Sequence, residues 1–387
     1  MDVVIAAGGK GTRIKKLIGN IPKPLFKIKK KITFLDYLLN HICKFNIDNV
    51  YILAGYKGEM IYKKFHGKVI NLVNIHCIVE KKPLGTGGCL SLVKNKISDK
   101  FIFMNGDSIL NIDLNDFIKS SIRKDIFLAL CKNSSYKSNK QLSNLSLKNN
   151  KVVFDRESSF MSAGIITLNK KIITTIKKKF TSLEYIMQSL ILKKKIYGKI
   201  YNDSFLDIGT RKNLISSKKL ISSWFDKDAI FFDRDGTLNY DSGYTYKIKD
   251  FKFYPKTKEV LKKLSKKFNL FIVTNQAGIA KNFFKIQDFY KLHKFIKKDL
   301  SKSKIYFSDV QFCPYHEHAK LKKYKKKTNL RKPGNRMLKN ILLRWNINIK
   351  NSYMIGDSIK DYKCAKSLKL KFYYAKTGIH SIMYKIM

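Results

Sequence analysis

A chain of 387 residues that is 44% hydrophobic and 13% aromatic has room for two or three packed domains and is too apolar to be intrinsically disordered. A formal charge of +51 invites a polyanionic partner, but only eight of the 79 basic residues are arginine. The lysines run through the whole chain and follow no recognition motif, so the charge reads as a solvated, compositionally biased surface and no specific nucleic acid is expected.

Other broad classes are bounded in the same way. Six cysteines without a Cys-x-x-Cys pair suit a reducing compartment. Asp2 stands where a signal peptide needs a basic region, and no apolar run approaches the ~20 residues of a membrane span. The expectation is a soluble, cytoplasmic protein acting on small molecules, with no membrane.

In chain order, Val3 to Ala7 is a short buried strand that runs into Gly8-Gly9-Lys10-Gly11-Thr12-Arg13, where glycines let backbone N–H groups approach a phosphate. Ile21-Pro22-Lys23-Pro24-Leu25 holds one lysine in a stiff loop. Thr33 to Asp36 reads as a capping box opening a helix with Phe34, Leu35, Leu38, Leu39 and Ile42 inward. Strands over 50–53, 75–79 and 101–104 alternate with helical stretches, so a mostly parallel, doubly wound sheet is expected. Glu80, Gly85-Thr86 and Asn105-Gly106-Asp107 follow strand ends, where open sheets bind ligands.

Ala-Ala-Gly-Gly-x-Gly-Thr-Arg with Pro-Lys-Pro-Leu resembles the signature of sugar-1-phosphate nucleotidylyltransferases, over roughly residues 1 to 215. The resemblance implies a Rossmann-like fold in which Gly8, Gly9, Gly11, Thr12, Gly85 and Thr86 bind nucleotide and Arg13 and Lys23 act on the triphosphate. It implies Mg2+ on Asp107 and Asp207, and substrate contacts from Glu80 and from Gly164 in Ser162-Ala163-Gly164-Ile165. Where relatives carry Glu-Lys-Pro, this chain reads Phe154-Asp155-Arg156-Glu157, so Arg156 stands in for the lysine that meets the sugar phosphate. The run from Leu17 to Pro24, with Asn105 to Ser108, is most similar to D-glycero-D-manno-heptose 1-phosphate guanylyltransferases.

Beyond a helix around 212–222, the apolar run Ala229 to Phe232 ends in Asp233-Arg234-Asp235-Gly236-Thr237. A buried strand there delivers two carboxylates to its edge, one able to attack phosphorus and the other to move a proton. Leu270 to Val273 leads into Thr274-Asn275-Gln276, Lys332 follows Arg331, and Tyr353 to Ile355 leads to Asp357 and Asp361.

These four ordered motifs resemble the haloacid dehalogenase-type phosphatases. The resemblance implies Asp233 as nucleophile, Asp235 as acid and base, Thr274 and Asn275 at the phosphoryl group, Lys332 as its counter-charge and Arg331 on the rest of the substrate. It implies Mg2+ on Asp233, Asp357 and the Asp235 carbonyl, with Asp361 ordering the site. Too little chain separates Asp235 from Thr274 for a large cap.

Within that superfamily the motifs are most similar to D,D-heptose 1,7-bisphosphate phosphatases and, more distantly, histidinol-phosphate phosphatases. Relatives there bind zinc through cysteines, but Thr328 and Leu330 occupy two of those positions, leaving Cys313, His316 and His318; zinc is not expected. His293, among Phe289, Leu292 and Ile296, is expected to be a packed histidine. The expected architecture is α/β with two doubly wound domains, a transferase domain over 1–223 and a phosphatase domain over 224–387. They would be consecutive enzymes of NDP-heptose synthesis, the alternative being another sugar 1-phosphate and a phosphatase of different specificity.

Overall fold

A computed structural model describes residues 1–132, 142–174, 176, 179–375 and 377–382. The chain divides into two compact units, the first Met1–Ile42, Ile47–Val69 and Val73–Trp224, the second Cys43–Asn46, Ile70–Leu72 and Phe225–Met387.

The described strands of the first unit are β1 (Asp2–Ala7), β2 (Asn49–Ala54), β3 (Val69–Ile70), β4 (Val73–Val79), β5 (Lys100–Asn105), β6 (Ser108–Leu110), β7 (Ile126–Lys132), β8 (Ser143–Lys148), β9 (Lys151–Phe154), β10 (Phe160–Asn169), β11 (Tyr197–Tyr201) and β12 (Phe205–Asp207). Ten form one sheet in the order β3-β4-β2-β1-β5-β10-β7-β11-β9-β8, while β12 pairs with β6. The strands β4, β2, β1 and β5 are mutually parallel. Beyond β5 the sheet is mixed, because β10 runs antiparallel to both β5 and β7. The expected parallel sheet therefore holds for the amino-terminal strands only, where helical crossovers such as Phe34–Ile42 and Gly58–Phe65 connect neighbours.

Burial explains the run at β1: Val3, Val4 and Ile5 are fully buried, as a central parallel strand covered on both faces requires. The first crossover helix starts where the capping box is expected. The Thr33 backbone N–H donates to Asp36 Oδ2 (2.7 Å) and the Asp36 N–H to Thr33 Oγ1 (3.4 Å), satisfying donors that a helix start leaves open.

The second unit carries β13 (Ala229–Phe232), β14 (Asn269–Asn275), β15 (Asp309–Cys313), β16 (Tyr353–Gly356) and β17 (Lys371–Tyr374). Their order is β15-β14-β13-β16-β17 and every pairing is parallel. Side chains alternate between two cores. Ile230, Phe232, Leu270, Ile272 and Ile355 pack on one face; Ala229, Phe231, Phe271, Val273 and Met354 pack on the other. That two-sided burial is why the strands read as continuous apolar runs.

Candidate functional site

In the first unit four adjacent strand ends meet one cavity. Gly8 and Gly9 follow β1, Gly55 and Tyr56 follow β2, Glu80 follows β4, and Asn105 to Asp107 close β5; all line a cavity of about 570 Å³ with Lys23, Gly85, Thr86 and Glu184. Five glycines stand in its wall, Gly8, Gly9, Gly55, Gly85 and Gly106. A Cβ on Gly55 would lie 2.7 Å from Gly8 Cα, so the glycine loop is packed against the neighbouring strand end at a distance that only glycine permits.

Charged side chains stand among these glycines: Lys10, Lys23, Glu80, Lys81, Lys82, Asp107 and Glu184 all line the cavity. Lys23, 8% exposed, donates from Nζ to Asp107 Oδ2 at 2.5 Å. Glu80 Oε2 accepts from the Leu84 N–H (3.2 Å), and burial raises its carboxyl above the usual range despite that bond. Thr86 Oγ1 donates to Glu184 Oε2 (2.5 Å) and accepts from the Leu183 N–H (2.9 Å).

A second cavity of about 330 Å³ shares Asn105, Asp107 and Glu184 with the first, and adds Arg13, Ser162, Gly164 and Asp207. The β6–β12 ladder brings the two acids together: Asp207 pairs with Ser108, and the Ile208 N–H donates to the Asp107 carbonyl at 2.9 Å. With Asp107 in the turn before β6 and Asp207 ending β12, the two carboxylates are a hard oxygen donor pair of the kind that takes Mg2+ together with phosphate. Gly164, at φ +71, leaves no room for a side chain against Asn105.

Of the residues expected here, Gly11 and Thr12 line neither cavity. Arg156 sits on an exposed turn after β9 and also lines neither. Glu184, Tyr56 and Phe180 line the first cavity without any signal in the motifs. Glu184 lies in the first turn of the helix Leu183–Leu192, where an acid reads simply as a favourable helix start.

In the second unit the three central strands converge. Asp233 follows β13, Thr274 and Asn275 end β14, and Asp357 follows β16. Lys332, 2% exposed, lies 2.8 Å from Asp233 Oδ1 and 2.6 Å from Asp361 Oδ1. Its loop is tied to β14 by the Asn275 amide, which accepts from the Lys332 N–H (3.0 Å) and donates to the Lys332 carbonyl (3.1 Å). Asp361 also caps its helix, accepting from Ser358 Oγ at 2.6 Å. Both its oxygens are thus engaged in ordering the site.

Burial pushes the Asp233 carboxyl up, and Lys332 is the main influence against it. Burial works to lower Lys332 as well, yet Asp233 and Asp361 together hold it above the ordinary lysine range. Burial and then Asp361 raise Asp357. Oxygen atoms of Asp233, Asp357 and Asp361 lie within 4.8 Å of one another. Three carboxylates facing one lysine leave negative charge that a divalent cation with oxygen ligands would balance.

Asp235 is held by neighbours that the motif does not specify. Arg234 donates to both its oxygens, from Nε (3.0 Å) and Nη2 (2.7 Å). Asn239 and Gln276 add bonds of 3.0 and 2.9 Å, and Gln276 also reaches Thr274 Oγ1 at 3.0 Å. Gln276 stood beside Thr274 in the sequence; Asn239 carried no signal. His293 is packed as expected, 3% exposed, its basicity lowered by burial and then by Arg234.

Arg331 has a buried Nη1 with no hydrogen-bond partner among the described residues, as suits a cation kept for a ligand. Cys313 is fully buried with Sγ toward the Tyr315 carbonyl. The His318 side chain is 83% exposed, and its ring centroid is 5.8 Å from that of His316.

Comparison with known proteins agrees with both units. A nucleotidyl transferase family model matches residues 2–223, and a HAD-hydrolase-like model matches residues 329–383. The first unit is similar to the D-glycero-alpha-D-manno-heptose 1-phosphate guanylyltransferase of Campylobacter jejuni, 32% identical over 54% of this chain and 95% of that protein. The second is similar to the D-glycero-beta-D-manno-heptose-1,7-bisphosphate 7-phosphatase of Haemophilus influenzae, 36% identical over 37% of this chain and 78% of that protein. It is also similar to the D-glycero-alpha-D-manno-heptose-1,7-bisphosphate 7-phosphatase of Campylobacter jejuni, 37% identical over 34% of this chain and 73% of that protein. The chain belongs to the nucleotidyl transferase family through its first unit and, through its second, to the family of haloacid dehalogenase-like phosphatases.

Proposed function

We propose that the chain carries out two consecutive steps toward a nucleotide-linked heptose, with residues 1–223 as the transferase domain and 224–387 as the phosphatase domain. The second unit removes the C7 phosphate of D-glycero-D-manno-heptose 1,7-bisphosphate. The first joins the heptose 1-phosphate so formed to a nucleotide, GMP from GTP, and releases pyrophosphate. What carries the reading is the pairing on one chain of relatives whose named activities follow one another. The guanylyltransferase relative is named for the α anomer, so the α-bisphosphate is the expected substrate.

In the second unit Asp233 attacks the phosphorus while the bond to the C7 oxygen breaks and that oxygen takes a proton from Asp235. Asp235 then takes a proton from a water that attacks the aspartyl-phosphate, and phosphate leaves. The Thr274 hydroxyl and Lys332 bind the phosphoryl oxygens. Asp233, Asp357 and the Asp235 carbonyl would hold Mg2+, which supplies neutralisation of phosphate charge.

In the first unit the backbone of Gly8 and Gly9, with Lys23, holds the triphosphate in the first cavity, while Gly11, at φ +61, turns the same loop toward Arg13 in the second. Asp107 and Asp207 would hold Mg2+, which supplies neutralisation of phosphate charge. A sugar-phosphate oxygen attacks the α-phosphorus and pyrophosphate leaves in line.

The test is a single reaction with each anomer of the bisphosphate, each NTP and magnesium, reading phosphate, pyrophosphate and product mass. GDP-heptose from the α anomer is expected, and EDTA should stop both steps. Asp233→Asn should abolish both products from the bisphosphate yet still convert supplied heptose 1-phosphate, whereas Asp107→Asn should release phosphate only. Release of phosphate from neither anomer would overturn the heptose assignment.

A further inference from the structure

Arg234 occupies the open position between the two catalytic aspartates, and a strand-end loop would normally leave such a side chain in water. Instead it is 1% exposed and turned back on its own neighbour. Nε and Nη2 grip the two Asp235 oxygens at 3.0 and 2.7 Å, Nη2 donates to the Thr245 carbonyl at 2.8 Å, and Nη1 lies 3.2 Å from His293 Nε2. The guanidinium also sits 5.6 Å from the centre of the Phe289 ring.

Each contact limits a different freedom. The terminal torsion of an aspartate is broad, so a carboxylate held at one point would rock. A planar fork that meets both oxygens sets the plane of the group, which an ammonium cannot do. The fork is in turn braced from two other segments, by Thr245 and by His293 on the helix Ile286–Ser301. Burying a guanidinium is expensive unless its donors are satisfied, and here the bonds that satisfy them are those that aim Asp235.

We infer that Arg234 is a positioning residue of the phosphatase reaction, its fork, braced by His293 and Thr245, keeping the Asp235 carboxylate aimed first at the leaving oxygen and then at the attacking water. This rests on the phosphatase reading above, in which Asp235 is the proton carrier.

Leaving-group chemistry separates positioning from a merely structural role. A sugar alkoxide needs its proton when the first bond breaks, whereas p-nitrophenolate departs without one; the attacking water needs Asp235 in either case. In the full-length chain, Arg234→Lys should lower kcat for the bisphosphate ~10–100-fold with little change in KM. With p-nitrophenyl phosphate it should give a rapid burst of about one equivalent of p-nitrophenol followed by slow turnover, a pattern absent from the unsubstituted protein.

His293→Phe, which removes a brace and leaves the fork, should show the same pattern more weakly, and it carries the test if Arg234→Lys does not fold. Turnover like that of the unsubstituted protein, or equal losses on both substrates without a burst, would overturn the role. Asp233→Asn is the control. If phosphate release survives in it, the phosphatase reading falls and this inference with it; if release is lost there but no burst appears in Arg234→Lys, only this inference falls.

Discussion

The two sites hold phosphate chemistry at parallel strand ends with opposite materials. In the first unit glycine backbone at Gly8, Gly9, Gly55 and Gly85 shares the wall with solvent-exposed lysines such as Lys10, Lys81 and Lys82, and its ion pair joins Lys23 to an Asp107 side chain that is 32% exposed. In the second, charge is assembled before any ligand arrives, with Lys332 enclosed by Asp233 and Asp361 at side-chain exposures of 2%, 15% and 0%. Backbone donors can accept a large anion by displacing water. Buried charges are part of the fold, so in the second unit catalysis and stability cannot be separated.

Removing each lysine is the sharpest way to break that comparison. Lys332→Met leaves two buried carboxylates without their cation and should cost roughly 3–5 kcal/mol, with phosphate release lost. Lys23→Met, beside a partly solvated partner, should cost about 1 kcal/mol or less while impairing pyrophosphate release. The chain has two tryptophans, Trp224 at the end of the first unit and Trp345, 3% exposed, in the core of the second. In a Trp224→Phe background, fluorescence-monitored denaturation therefore reports the second unit, and equal losses there and in the first unit would contradict the contrast.

Glycine has a different duty in the second site. Gly236, at φ +79, faces the Asp357 carboxylate where a Cβ would stand. Gly236→Ala combines left-handed strain with displacement of an acid proposed to hold magnesium. It should cost about 2 kcal/mol and raise the magnesium concentration needed for phosphate release, read by titrating MgCl2 against rate.

His293 tests whether the buried network is felt as far as its rim. Its folded pKa is lowered, so the stability that goes with the neutral ring is present above the unfolded value of about 6.5 and is lost as pH falls below it. Melting of the second unit should therefore weaken from pH 7 toward pH 5. His293→Phe should flatten that slope by up to about 1.4 kcal/mol per pH unit; an unchanged slope would mean that the ring charges without penalty.

Legibility divided along the same line. Strand runs, the Thr33 capping box and the placing of acids at strand ends were readable because each is written in a few adjacent residues with one physical meaning. The packing of Glu184 against Thr86 was not, since 98 residues separate them and only the folded helix brings them together. The exposed position of Arg156 was not readable either, because alignment to a motif says nothing of where a turn points. The mixed half of the sheet escaped because a β10 strand buried like its neighbours reads the same whichever way it runs. Arg234 was visible as a letter, but an open motif position carries no sign that its side chain is the brace of the next one.

The smallest expected effect on stability is also the most specific for the first site. A Cβ on Gly9 would meet nothing within 4 Å, so Gly9→Ala should fold with stability unchanged to about 0.5 kcal/mol. Yet Gly9 lines the cavity, in the loop whose N–H groups are proposed to cradle the triphosphate, and a methyl group there would stand between backbone and phosphate. KM for GTP should rise about tenfold, a loss near 1.4 kcal/mol of binding, with kcat changed far less. An unchanged KM would place the triphosphate away from this loop, and the first half of the comparison would have to be rebuilt around Lys23 and Arg13.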